Sequence, residues 1–418
     1  MTSEKNSGAG RRDDGRHFWR DQSHRQSHSQ DNLESMGPIV AHPLACSDGP
    51  VVVQTDPALT EMIEHLRAAG SFAFDSEFIG ERSYTPHLCL VQVATTRKIY
   101  VVDPLCGLDL SRFWDLIVSP TIQKIVLAGQ QDFGPAVLRT GKPPANVMDA
   151  QIAAGFIRVD YPLSLVRLVQ EFLGVPLGKA LTFTHWDNRP LSAVQMRYAA
   201  DDVRYLPAAW DVISRQLAEL GRGAWAQQEC DAALGDMSLY VTPPELLYQR
   251  VRGQERLRPR NLAILRELAI VRDQAARQED LPTRTLLKDA ILVAMARYPA
   301  KTPADLDRIK GLPRPVESKY GRQFVEATAK AMALAEDQLP PSGPKPANRH
   351  QSGPDEAWTR LIQFCQERSI APTLVSSPKD VVRACRLVAQ DQTLDHRLFQ
   401  GWRQELLGDL LRQVGRAT

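Results

Sequence analysis

The stretch Ser71-Phe-Ala-Phe-Asp-Ser-Glu-Phe78 decides how this chain reads. Aromatic residues recur at every second position, the period of a β-strand. On such a strand Phe72, Phe74, Ser76 and Phe78 point one way, and Ala73, Asp75 and Glu77 point the other. If helices cover both faces, two carboxylates project side by side into a crowded place. Burying unpaired carboxylates is very costly, so something must neutralise them. A divalent cation does so, and hard cations such as Mg²⁺ prefer oxygen ligands. Taken alone, the pattern D-x-E also fits a half-exposed strand with its acids in water.

Working outward, Leu88–Thr95, Lys98–Val102 and Ile122–Leu127 also read as strands. Arg112–Val118, Asp132–Arg139, Asp149–Arg158, Ser164–Leu173 and Ala193–Leu220 read as helices. The first three strands follow one another closely, which favours hairpin pairing. The last is reached through a helix, which favours a parallel crossover. Residues 51–235 are therefore expected to form an α/β domain, a mixed sheet flanked by helices. From Pro244 onward the strand signal vanishes. Asn261–Arg277, Thr285–Arg297, Pro303–Ile309 and Lys319–Ala335 look helical, with Thr302 and Asp305 placed as a capping box and Gly311 suited to a helix end. Residues 245–335 make one small all-α domain. Five prolines mark 336–354 as a linker, and 355–418 reads as a second small helical domain. Residues 1–50 form a polar tail expected to be disordered; its His17, His24 and His28 read as solvated.

A net charge of +2 over 418 residues means little until it is divided. Residues 51–235 carry 16 Lys and Arg against 20 Asp and Glu, net −4, while 245–335 carry 18 against 11, net +7. Acidic clusters hold cations, and basic faces hold phosphate backbones. No window approaches the roughly 20 apolar residues of a membrane span, and the N-terminal stretch lacks the apolar core of a signal peptide. The six cysteines form no C-x-x-C pair. These features fit a cytoplasmic protein without zinc ribbons or disulfide scaffolds. The absence of G-x-x-x-x-G-K-[ST] argues against a helicase.

Two further segments carry acids. In Lys124-Ile-Val-Leu-Ala-Gly-Gln-Gln-Asp-Phe133, Asp132 stands beyond a strand end, where capping a helix and binding a metal are both open. In Gln195-Met-Arg-Tyr-Ala-Ala-Asp-Asp-Val-Arg-Tyr205, Tyr198 and Asp202 share a helix face beside the apolar stripe Ala199, Val203 and Leu206. That places them at a cleft edge or in a surface pair. Asp201 lies off that face and is expected to be solvated.

In this order, a D-x-E strand, then Asp, then Y-x-x-x-D on a helix, the chain resembles the tyrosine branch of the DEDD superfamily of 3′–5′ exonucleases. Tyr84-Thr-Pro-His-Leu-Cys-Leu-Val-Gln-Val93, Val102-Asp-Pro-Leu105, Asp149-Ala-Gln151, Trp186-Asp-Asn-Arg-Pro-Leu191 and Tyr198-Ala-Ala-Asp-Asp-Val-Arg-Tyr-Leu206 are similar to the ribonuclease D family. Leu306-Asp-Arg-Ile-Lys-Gly-Leu-Pro313 and Lys319-Tyr-Gly321 are similar to the HRDC domain, and 355–418 more weakly so. The resemblance implies a ribonuclease H-like exonuclease domain followed by two HRDC-type domains. It implies two divalent metal ions, Mg²⁺ or Mn²⁺. Asp75, Glu77 and Asp202 would bind one, Asp75 and Asp132 the other, and Tyr198 would orient the attacking water. The implied products are nucleoside 5′-monophosphates, and the implied substrate is RNA with a single-stranded 3′ end, such as a tRNA precursor. Lys310, Arg314, Lys319 and Arg322 are candidates to grip its backbone, with a solvated basic face as the alternative. A DNA exonuclease and a silent RNA-binding scaffold are the rival functions. Arg189 and Trp186 would contact substrate or tie down their loop, whereas Asp103 and Asp149 read as turn and cap residues. Many family members carry a histidine where this chain has Leu127, which implies altered packing near the cleft.

Overall fold

The computed structural model describes residues 37–178, 185–341, 353–390, 396–408 and 410–411. Residues 1–36 of the expected tail, with its three histidines, and 342–352 of the proline-rich linker lie outside the described residues.

Strands β1 (Val51–Val53), β2 (Ser71–Ile79), β3 (His87–Ala94), β4 (Ile99–Val102), β5 (Gln123–Val126) and β6 (Val147–Asp149) form one sheet in the order β1-β4-β3-β2-β5-β6. β2, β3 and β4 pair antiparallel as hairpins, while β1 joins β4, β5 joins β2 and β6 joins β5 in parallel. Periodicity missed β1 and β6, because three residues are too few to display a period. Helices α1 (Asp56–Ala69), α2 (Ser111–Ile117) and α3 (Gly134–Thr140) pack on the face that carries Phe72, Phe74, Val91 and Val93. On the opposite face lie α4 (Ala150–Ala154), α5 (Leu165–Leu173), α6 (Ala193–Arg204), α7 (Leu206–Glu219) and α8 (Gly223–Leu234), over Ala73, Ala94 and Ile125. The single helix expected over Ala193–Leu220 is therefore two. Pro207, which has no N–H to donate, sits in the first turn of the second.

Helices α9 (Pro259–Gln278), α10 (Thr283–Leu286), α11 (Asp289–Arg297) and α12 (Arg314–Met332) enclose a separate core around Leu265, Leu268, Leu292 and Phe324. The Thr302–Asp305 capping box forms as expected, opening a short 3₁₀ turn. After it come α13 (Gly353–Gln366), α14 (Pro372–Val375), α15 (Pro378–Ala389) and α16 (Gly401–Leu407). Their core is continuous with that of the α/β domain. Leu361, Leu374 and Trp402 belong to the same buried cluster as Ile152, Phe156 and Ile213 of the α/β domain. Trp402 meets Phe156 edge to face at 4.7 Å, and Arg403 forks onto Glu229 with two bonds of 2.8 Å. The backbones meet at Gly155, where a side chain would begin 2.9 Å from Leu374 Cδ2.

The last part of the expected tail is also packed. Cys46 is buried, and the fully buried Arg204 donates to the carbonyls of Cys46 and Asp48. Tyr205 donates to that of Val40. Those three carbonyls are satisfied by α6 and its C-terminal residue, which no reading of the polar segment alone reveals. Among the described residues no helix is long and apolar enough to cross a membrane. All six cysteines are free.

Candidate active site

β2 is held by its aromatic side. Phe72 and Phe74 pack on Phe113, and Phe74 on Phe133, with ring centroids 5.6–6.3 Å apart. Fixing that face forces Asp75 and Glu77 onto the other. The register slips between Glu77 and Phe78, leaving Cys89 of β3 without a partner in β2. Such bulges twist a strand and re-aim its side chains, here beside Glu77.

Asp132 arrives from the end of β5. The chain turns through Ala128, whose φ is +54°, and Gly129. A Cβ on Gly129 would stand 2.8 Å from Val126 Cβ and 3.2 Å from Asp132 Oδ2. The turn therefore closes only with glycine there. Asp132 is buried in a 3₁₀ turn and accepts a short hydrogen bond from the Ser76 hydroxyl instead of capping α3. Ser76 is legible in the sequence only as a hydroxyl on an aromatic face, yet it ties the third acid to the strand that carries the first two.

Tyr198 and Asp202 come from α6, which opens with a capping box between Ser192 and Gln195. They share one face as expected, and, after burial, Asp202 is among the groups that raise the Tyr198 phenol. The Tyr198 ring lies against buried Trp186 at 6.1 Å. Asp201 departs from expectation. It is buried and bridges Arg197 and Arg204, so one of two adjacent aspartates is neutralised by arginines while the other faces the sheet.

Burial leads the electrostatics, and like charge comes second for Asp75, Glu77 and Asp202. Asp75 is pushed well above the ordinary carboxylate range by burial, by Asp132 and by Glu77. Asp202 is pushed up by burial, Asp75 and Glu77. Glu77 rises to about 7 and Asp132 to about 6, burial leading in both. No lysine or arginine stands among the leading influences on any of the four. Asp103 behaves oppositely. Burial would raise it, but Arg189, bonding both its oxygens at 2.6 and 2.7 Å, and Gln54 hold it below the ordinary value.

The exonuclease geometry has counterparts. A family model described as 3′–5′ exonuclease matches residues 50–218, and an HRDC domain model matches 261–328. The Ribonuclease D of Gluconacetobacter diazotrophicus is 34% identical over 375 residues, 86% of this chain and 91% of that protein. That of Zymomonas mobilis is 32% identical, covering 85% and 91%. This chain belongs to the ribonuclease D family. The crystal structure of Escherichia coli RNase D, an exoribonuclease involved in structured RNA processing, superposes with a TM-score of 0.73 at 28% identity, covering 88% of this chain and 99% of that one.

As a ribonuclease D family member the chain is a 3′–5′ exoribonuclease that depends on divalent metal. The donor set fits such ions. Four carboxylates from three elements, Asp132 buried and Asp75, Glu77 and Asp202 half-buried, destabilise one another as anions, and no lysine or arginine leads in relieving them. Among the described residues no group of three or more His, Cys, Asp or Glu side chains already has the spacing of a ligand shell.

The remaining sequence candidates divide. Asp149 caps α4, and Asp103 shapes its turn by accepting from the Leu105 N–H. Arg189 ties its loop to the sheet through Asp103 and the carbonyls of Cys89 and Trp186. Leu127 is half-buried and packs on the core under α4–α8. In the HRDC domain Arg314 pairs with Asp307 and Glu317, and Lys319 with Glu279. Lys310 and Arg322 are exposed and make no ion pair among the described residues. Sequence reading missed Tyr84. Its loop joins β2 to β3, and it docks on α9 through Asp273 at 2.7 Å, beneath Arg277, and on Asp280 just beyond that helix at 3.0 Å.

Proposed function

We propose that Asp75, Glu77, Asp132 and Asp202 hold two divalent ions, Mg²⁺ or Mn²⁺, and that Tyr198 orients the attacking water at the 3′-terminal phosphodiester of RNA. The observation that carries this reading is the convergence of four mutually repelling, half-buried or buried carboxylates, with no lysine or arginine among the leading influences on them. Bound ions supply an activated water and relieve charge at the phosphorus and the leaving 3′ oxygen. The residues do the rest. Asp75, at the centre of the repulsion, touches both halves of the set. Ser76 fixes Asp132 against β2. Burial and Asp202 raise Tyr198 far above neutral pH, so its phenol stays protonated and acts as a donor that positions water rather than as a base. The products are nucleoside 5′-monophosphates.

The natural substrate in this reading is a structured RNA with a single-stranded 3′ tail, such as a tRNA precursor in the cytoplasm. The division of charge supports it: an acidic catalytic module needs a basic neighbour to hold a polyanion. Residues 355–418 are read as a second HRDC-like domain.

The test supplies the purified protein with Mg²⁺ or Mn²⁺ and 3′-tailed RNA and DNA, and follows mononucleotide release. Asp75→Asn should abolish cleavage with the fold and RNA affinity retained. Turnover near that of the unaltered protein would sink the assignment, and equal cleavage of DNA would sink the preference for RNA.

A further inference from the structure

Gln92 of β3 is fully buried, and neither its amide nitrogen nor its carbonyl oxygen has a hydrogen-bond partner. A buried amide left unpaired is costly, so such a residue calls for an account. Its position supplies one. Gln92 is the register partner of Asp75 on β2, so both side chains leave the sheet on the same face. On the other side its partner is Val101 of β4. Leu90 and Ala94 flank it along its own strand, and Ala199 of α6 closes over Leu90 and Val101. These neighbours offer no side-chain donor or acceptor. On β2 the residue directly opposite on that face is Asp75, a carboxylate.

Asp75 for its part draws on the backbone of Ser76 and on no basic side chain. An amide carries two donor hydrogens and no charge. It is therefore suited to fix a carboxylate without competing with a cation for it. We propose that Gln92 is a positioning residue, whose side-chain amide, unpaired in this structure, turns to donate to the Asp75 carboxylate opposite it and holds it in the orientation that receives divalent cations. Full burial keeps Gln92 out of reach of RNA, so it acts through Asp75 alone. The inference rests on the reading of Asp75 as a metal ligand.

Gln92→Met preserves shape and removes both polar atoms. Full-length, metal-free protein is first checked by circular dichroism and thermal melting. It is then titrated with Mn²⁺ in a calorimeter, with RNA affinity measured without divalent ions and cleavage followed across a Mn²⁺ series. Removing a partner that orients a ligand typically weakens metal binding about 10–100-fold. The expected result is that loss in Mn²⁺ affinity, unchanged RNA affinity, an equal or higher melting temperature, and cleavage that recovers in excess Mn²⁺. Unchanged Mn²⁺ affinity with an unchanged metal dependence of cleavage overturns the proposal. If Gln92→Met does not fold, Gln92→Leu undergoes the same titration. Asp75→Asn is measured alongside. Intact Mn²⁺ binding in that variant removes the carboxylate assignment and this inference with it. Lost binding there, with normal binding in Gln92→Met, removes only the role of Gln92.

Discussion

Tyr198 and Glu77 show how single side chains in this centre are tuned by their surroundings. Burial and then Asp202 raise the Tyr198 phenol, while its ring packs on Trp186. Tyr198→Phe removes only the hydroxyl. Turnover on a tailed RNA should fall by about 10²–10⁴-fold, the usual worth of one positioned group, while Mn²⁺ affinity changes little. Full kcat in that variant would reduce Tyr198 to packing. Glu77 holds its proton in the folded state up to about pH 7, because burial and Asp132 disfavour its charge. The unfolded chain releases that proton near the ordinary glutamate value. Between the two pH values the native state binds more protons, so stability falls as pH rises. Metal-free protein should therefore lose melting temperature relative to Glu77→Gln between about pH 4.5 and pH 7. Saturating Mn²⁺ should narrow that difference. Parallel melting curves for the two proteins across that range would contradict it.

At the scale of elements, the turn after β5 is the critical joint. Gly129 lets the chain fold back so that Asp132 meets Ser76. The obstacle to any side chain there is Val126 Cβ, on a β-branched residue buried in the sheet that has little freedom to yield. Gly129→Ala should cost about 1–3 kcal/mol by overpacking, and should lower kcat further by displacing Asp132. Melting temperature and single-turnover rate, measured together, separate the two effects; a variant normal in both would show that the turn tolerates a side chain. The bulge at Glu77 belongs to the same scale. Arg189 takes up the carbonyl of the unpaired Cys89, so the irregularity is anchored rather than loose.

At the scale of the whole molecule, charge and packing follow different boundaries. Charge divides the chain into an acidic module and a basic one. Packing instead joins the last helices to the catalytic domain through Trp402, Phe156 and Glu229. Meanwhile α9 reaches the loop beside the carboxylates through Tyr84. Lys310 and Arg322 are the basic candidates left without ion pairs among the described residues. The double variant Lys310→Glu, Arg322→Glu should raise KM on a tailed tRNA and leave kcat on a four- or five-nucleotide strand nearly unchanged. Its salt slope should drop by about one for each phosphate the protein no longer neutralises. An unchanged KM and slope would leave those two residues as part of a solvated surface.

Sequence alone determined the features that depend on local periodicity and short spacing. The alternation in Ser71–Phe78 placed Asp75 and Glu77 on one face, and a four-residue interval placed Tyr198 and Asp202 together. The hairpin order of β2, β3 and β4 followed from short connections, and the Thr302 cap from its own three-residue motif. Tertiary structure decided what each face meets. Asp201 and Asp202 are chemically identical neighbours, yet only Asp201 finds arginines, because Arg204 is drawn inward by the carbonyls of Cys46 and Asp48. Ser76 and Gln92 gain their significance from residues 56 and 17 positions away. The final helices look self-sufficient by periodicity, but their apolar faces are completed by the catalytic domain. A period reveals that a face is apolar or acidic. Only the folded chain, in which burial must be matched by complementary surface, reveals which partner covers it.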